Sequence, residues 1–220
     1  MPMKNNREYR DMILEVVVDN DQDRPDEERE NRKLVAGYAS TFNEPYVLYE
    51  DEYLIYREQV DRSAFDETDM SDVIMQYNHE GRVFARITNN TLRVTPDERG
   101  LFIEADLGGT DLGRDLYEEI RGGYTDKMSF GFIVSQDEEV RTDADDGRVD
   151  ILRTITGISK LFDVSAVSIP ANNGTSIGVS TRSRIDGVIE EVRAERLEAE
   201  KIELERRRAE VRARALGKDI

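Results

Sequence analysis

Short runs of β-branched and aromatic residues, each bounded by turn formers, dominate positions 1–183. Ile13 to Val18 reads as a strand, and the charged run 19–32 that follows it, carrying Pro25, reads as a mobile acidic loop. Leu34 to Phe42 predicts a second strand that ends in the turn Asn43-Glu44-Pro45. The stretch from Tyr46 to Val60 is acidic and rich in tyrosine, and core packing is the expected role of Tyr46, Tyr49, Tyr53 and Tyr56 because each ring buries a large area. Val73 to Tyr77 is another apolar run, and Leu92–Val94 and Leu101–Leu107 flank Pro96–Gly100 as the arms of a hairpin. Thr110-Asp111 caps a helix over Leu112–Arg121, with Leu112, Leu116, Tyr117 and Ile120 on one face and Gly122-Gly123 ending it. Met128–Val134, Ile151–Ile158 and Leu161–Ile169 read as further strands, with Gln136–Asp150 as an acidic turn region. Many strands with few helices make an α+β pattern, a barrel or sandwich with helices attached.

After Ser183 the composition shifts to helix formers and charges, so the chain divides into a catalytic-sized domain, 1–183, and a charged helical tail, 184–220. Counting sevens from Ile185 puts Val188, Val192, Glu195, Ala199, Ile202, Arg206, Ala209, Ala213 and Leu216 on one seam. Its alanines and charges suit a weak coiled coil, through which the chain would form a homo-oligomer, no better than a solvated tether.

Charge and composition narrow the function. With 31 Lys+Arg against 48 Asp+Glu, the formal charge of −17 repels a polyphosphate backbone and disfavours nucleic acid as a partner. The absence of cysteine removes disulfides, thiolate nucleophiles and Cys-ligated metal. The apolar run Met12–Val18 is too short for a signal peptide or a membrane span, so a soluble, cytoplasmic protein is expected.

Three residues can carry chemistry. His79, the sole histidine, stands at the end of an apolar run in Gln76-Tyr77-Asn78-His79-Glu80-Gly81, where a general base could reach substrate. A surface loop histidine fits the same position, and a metal site is disfavoured without a second histidine or a cysteine. Ser129, in Met128-Ser129-Phe130-Gly131-Phe132, is either a serine on a strand face or a nucleophile whose nearby glycine admits a substrate backbone. Asp163, within the apolar Leu161–Val167, requires a partner if buried; histidine would serve, as would a structural cation.

These residues lie in a longer series: Gly37-Tyr38-Ala39-Ser40-Thr41-Phe42-Asn43, Arg62-Ser63-Ala64-Phe65-Asp66, Asn78-His79-Glu80, Arg114-Asp115-Leu116-Tyr117, Met128-Ser129-Phe130-Gly131-Phe132, and Asp163-Val164-Ser165-Ala166-Val167 with Pro170-Ala171. In this order they resemble the prohead (capsid maturation) serine proteases of tailed phages, over roughly Arg10 to Ser180. That family looks like a distant relative of herpesvirus assemblin. The resemblance implies a herpesvirus-protease-like β-barrel with surrounding helices, here followed by the charged C-terminal helix. It also implies a histidine, serine and third orienting residue in that order, matched by His79, Ser129 and Asp163. The third position is usually glutamate in the family, so Asp163 is one methylene shorter; Glu80 is the other acid to consider.

The implied activity is that of a serine endopeptidase inside the immature prohead in the host cytoplasm. It would cleave scaffold or the scaffolding segment of the major capsid protein, and itself, with no cofactor and no membrane partner. The charged tail would recruit it during assembly. A non-catalytic assembly protein retaining the protease fold is the alternative. A hydrolase of small esters is disfavoured by the absence of a Gly-x-Ser-x-Gly elbow.

Overall fold

The computed structural model describes residues 7–12, 17–18, 32–167 and 179–215. In chain order these form β1 (Glu8–Met12), β2 (Val17–Val18), β3 (Leu34–Thr41), β4 (Tyr46–Glu50), β5 (Leu54–Val60), β6 (Ile74–Tyr77), β7 (Glu80–Arg86), β8 (Leu92–Pro96), β9 (Gly100–Asp106), helix α1 (Asp111–Arg121), β10 (Lys127–Asp143), β11 (Val149–Val167) and helix α2 (Val179–Ala215). Single 3₁₀ turns occupy Arg62–Phe65 and Ile87–Asn89. The acidic run 19–32, apart from Arg32, and the residues around Pro170 lie outside the described residues.

The fold is α+β, as the pattern of many strands and few helices predicts, but the strands form two sheets and no closed barrel among the described residues. One sheet runs β1-β10-β11-β5-β4, with β6 on β11 and β7 on β6; the other runs β2-β3-β9-β8. β1 and β2 come from one short stretch of chain yet pair with different sheets, β1 with β10 and β2 with β3. Among the described residues no ladder joins the two sheets, which meet face to face. Val35, Leu101, Ile103 and Ala105 of the smaller sheet pack with Met75, Phe130, Phe132, Leu161 and Val164 of the larger one in a single core.

The expected turn region Gln136–Asp150 is mostly strand. β10 continues to Asp143, only 144–148 turn, and β11 returns as one antiparallel partner from Val149 to Val167 rather than as two strands. The outer arm is charged because its side chains are mostly exposed, so it lacks the apolar alternation from which a strand is read. β11 then serves two parallel partners on its other edge, β5 along Val149–Ile155 and β6 along Asp163–Ala166. The Thr110 hydroxyl accepts from the Gly113 N–H at 3.0 Å and caps α1; Leu116 and Ile120 are buried, whereas Leu112 is exposed.

A second, smaller core lies further along the larger sheet. Leu48, Leu54, Tyr56, Val149 and Ile151 pack with Ile185 and Val192 of α2; of the four tyrosines Tyr56 is a core residue, as its size predicts, and Tyr46, Tyr49 and Tyr53 are half-buried against this core. The first turns of α2 are thus spent on the protein's own sheet, while Leu197, Ile202 and Val211 are exposed.

Along β5, Leu54, Tyr56, Glu58 and Val60 are buried in alternation, and Glu58 falls between the two cores. There it meets Arg10 at 2.9 Å and Arg153 at 2.7 Å, and the Tyr46 hydroxyl donates to it at 2.6 Å. Arg153 also contacts Glu8 at 3.1 Å and Asp137 at 2.6 Å. Burial is the largest single influence and lowers the Arg10 and Arg153 pKa values, but the charges of Glu58 and Glu8 and the hydrogen bonds they accept together outweigh it and hold both above the ordinary arginine value. Burial pushes the Tyr46 hydroxyl well up, and Glu58 adds to the effect.

Such a cluster is unforgiving of partial loss, because removing one ion leaves its partners buried and uncompensated. Arg153→Met is expected to lower the unfolding free energy by about 3–5 kcal/mol, read from the denaturation midpoint. A change under about 1 kcal/mol would mean that water or neighbouring groups already compensate Glu58.

Candidate active site

His79 lies in the tightest turn of the larger sheet. β6 and β7 are joined by Asn78 and His79 alone, with Tyr77 paired to Glu80. Both turn residues are left-handed, with φ of 50° and 59°, as the right-handed twist of a two-residue hairpin demands. Asparagine accepts that conformation readily; histidine pays about 1 kcal/mol for it. The Asn78 N–H donates to Ala166 O at 3.0 Å, which ties the turn to β11 and sets the imidazole over the sheet.

Ser129 and Asp163 lie on the adjacent strands β10 and β11, Ser129 opposite Ser165 and Gly131 opposite Asp163. A strict two-residue alternation cannot put both Leu161 and Val164 in the core, yet both are there. The register shift between Gly131 and Phe132 leaves Phe162 as an extra residue, and that bulge turns Asp163 away from the core onto the face that carries Ser129.

The three side chains form one hydrogen-bonded chain. His79 Nε2 is 2.6 Å from Ser129 Oγ, and His79 Nδ1 is 2.5 Å from Asp163 Oδ1. Asp163 and Ser129 are almost wholly enclosed, with side-chain exposure of 1% for the aspartate, while the imidazole keeps 15%. The Ser165 hydroxyl donates to the same Oδ1 at 3.0 Å, so that oxygen accepts twice. Ser129 Oγ also lies 2.8 Å from the Arg10 carbonyl of β1, a second acceptor for its proton. The Tyr9 ring lies 4.4 Å from the imidazole, centroid to centroid. Glu80, the other acid considered from sequence, begins β7 and is exposed. Among the described residues no cluster of potential metal ligands occurs, and no helix is long and apolar enough to cross a membrane. A groove of about 870 Å³ opens between α2 and the β10–β11 hairpin tip, lined by Arg141, Asp143, Val192 and Glu195 among others and by none of these three residues.

A serine hydroxyl, an imidazole and a buried carboxylate in this order have the geometry of a base-activated nucleophile. The family model described as Caudovirus prohead serine protease matches residues 20–187. The chain belongs to that family. No curated protein and no solved structure matches it. The prohead serine proteases are hydrolases of capsid maturation in tailed bacteriophages, and both strands carrying Ser129 and Asp163 fall inside the matched segment. The match begins after β1 and ends within α2, somewhat later at both ends than the resemblance read from sequence.

Sequence reading missed the neighbours of this candidate site. Ser165 was visible only as part of a motif, and Arg7 and Tyr9 lie in a polar segment that carries no strand pattern. Gly131 has a steric reason to be glycine: an added Cβ would lie 2.4 Å from Asp163 Oδ2 and 2.7 Å from Tyr9 Cε1. Gly131→Ala is therefore expected to push the carboxylate off the imidazole and slow labelling of Ser129 by a fluorophosphonate about 100-fold in a folded protein. Labelling at the wild-type rate would show that the Asp163 carboxylate can move without consequence.

Proposed function

We propose that the protein is the serine endopeptidase that cleaves scaffold, or the scaffolding segment of the major capsid protein, and itself, inside the immature prohead. The observation that carries this reading is the unbroken Ser129–His79–Asp163 hydrogen-bond chain in a member of the prohead protease family. Ser129 Oγ attacks the scissile carbonyl carbon while His79 Nε2 takes the hydroxyl proton. The imidazolium, held and neutralised through Nδ1 by Asp163, gives that proton to the leaving amine as the C–N bond breaks. Water then hydrolyses the acyl-enzyme with the same base. Co-expression with the major capsid protein tests this: wild-type enzyme yields shortened capsid protein by mass, and the Ser129→Ala chain leaves it full-length. Shortening by both would overturn the assignment.

The tail serves assembly in this reading. Ile185 and Val192 are buried, so its functional boundary lies beyond them, near Arg196, which still stacks on Tyr53 at 5.4 Å. A chain ending after Arg196 is expected to fold and label normally yet be depleted from purified proheads. One ending at Ser183 is expected to lose about 1.5–3 kcal/mol for each buried side chain removed. If the chain ending after Arg196 folds but does not label, the distal helix belongs to the active unit, as an oligomer contact would require.

A further inference from the structure

The segment that leads into β1 and β1 itself reach the triad with alternate side chains. Glu8 and Arg10 point into the buried ion cluster between the two cores. Arg7 and Tyr9 are on the other face, where Asp163 and His79 lie. Asp163 Oδ1 accepts from two donors, but Oδ2 is buried with no hydrogen-bond partner among the described residues. The cation beside it is Arg7, with Nη1 at 3.8 Å. Arg7 is itself held: its guanidinium lies 3.7 Å from the ring centroid of Phe162, the bulge residue, and Nη1 donates to the Tyr9 hydroxyl at 3.3 Å. The Tyr9 ring occupies the space that Gly131 leaves open and abuts the imidazole at 59°.

We propose that Arg7 and Tyr9 are positioning residues for the His79–Asp163 pair, which makes the N-terminal strand a working part of the catalytic centre. Tyr9 walls the imidazole into line with Ser129, and Arg7 compensates the buried Oδ2. Both act through other groups. The strand is anchored for this role by the Arg10–Glu58 ion pair inside and by the Ser129 Oγ to Arg10 carbonyl contact at its edge. The matched family segment begins at residue 20, so these contacts come from outside it. The inference rests on the triad reading above.

Among the described residues, the charged and titratable groups near the imidazole include Asp163, Arg7 and Tyr9, with Glu80 next in the chain and Lys160 at the Phe162 ring. Lys160 shares the Phe162 ring but pairs with Asp69 at 2.8 Å. Removing Arg7 leaves the Asp163 charge less compensated, which favours the imidazolium and moves the acid limb of reactivity to higher pH. A purely structural role would lower reactivity without moving that limb.

The test is the second-order rate of Ser129 labelling by a fluorophosphonate across pH, on the full chain. Arg7→Met is expected to raise the acid-limb midpoint by about 0.5–1 pH unit, and Arg7→Lys to return it toward wild type. Tyr9→Ala is expected to slow labelling roughly 10- to 100-fold at all pH values, and Tyr9→Phe to stay within about threefold. An unmoved or lowered midpoint in folded Arg7→Met overturns the proposal, as does wild-type labelling of Tyr9→Ala. Should Tyr9→Ala fail to fold by circular dichroism, the Arg7→Met midpoint decides alone. Ser129→Ala separates the two levels: full labelling there overturns the triad reading itself, whereas no labelling there with an unmoved Arg7→Met midpoint overturns this inference only.

Discussion

Ser129→Ala is expected to fold as the wild type does and to process capsid protein at no detectable rate, a loss of roughly 10⁴-fold or more. The substitution deletes one oxygen. In the resting protein that oxygen contacts His79 Nε2 and the Arg10 carbonyl, and losing such hydrogen bonds costs on the order of 1 kcal/mol each. Stability is therefore little changed while the nucleophile is gone. His79 offers a sharper version of the same test. Because it sits at φ of 59° in a two-residue turn, His79→Gly creates Asn-Gly, the sequence such turns prefer. That variant is expected to relieve about 1 kcal/mol of turn strain, offset by leaving the buried Asp163 carboxylate without its imidazole partner, and to lose activity to the same extent as Ser129→Ala, since the residues of a triad act as a unit. A folded, fully active His79→Gly protein would remove the imidazole from the mechanism.

Asp163→Asn is the second large effect, a loss of about 10³- to 10⁴-fold with measurable residual activity. An asparagine at this position carries no charge to stabilise the imidazolium; its amide oxygen can accept from Nδ1 and Ser165 in place of Oδ1, but its NH₂ then replaces Oδ2 beside the Arg7 cation. Asp163→Glu keeps the charge, and is expected to retain more activity than Asn, but it must find room for one more methylene beside Gly131 and Tyr9. The rates, measured by capsid-protein processing, should fall in the order wild type, Glu, Asn. Wild-type processing by Asp163→Ala would transfer the orienting role to another acid, with Glu80 the first to examine.

Residues with a local signature were legible without coordinates. The Thr110 cap and Gly122 stop of α1, the Leu92–Leu107 hairpin and the strand at Leu34 follow from turn chemistry and short-range periodicity, and the structure has them within a residue or two. The order His79, Ser129, Asp163 was legible because the motifs around them resemble a family pattern. Strands built from charged residues were not. The run Ile13–Val18 read as a strand is described only at Val17–Val18, which is β2, whereas β1, Glu8–Met12, carries no apolar signature, because Glu8 and Arg10 are buried by pairing with Glu58 and Arg153, partners far along the chain. The outer half of β10 was read as turn for a related reason: a hairpin arm exposed on both faces has no apolar alternation to detect.

The sequence by itself determined the α+β content, the composition break before the tail, the family and the identity of the three residues worth testing. Only the tertiary structure decided which face Asp163 occupies, since that depends on a one-residue register shift between β10 and β11 that flips the alternation. It also decided that the strands split into two sheets, and that Arg7 and Tyr9 flank the His79–Asp163 pair. The reason is the range of the forces involved: caps, turns and periodicity act over a few neighbouring residues, whereas strand register and buried ion pairs are set by groups tens to more than a hundred positions away.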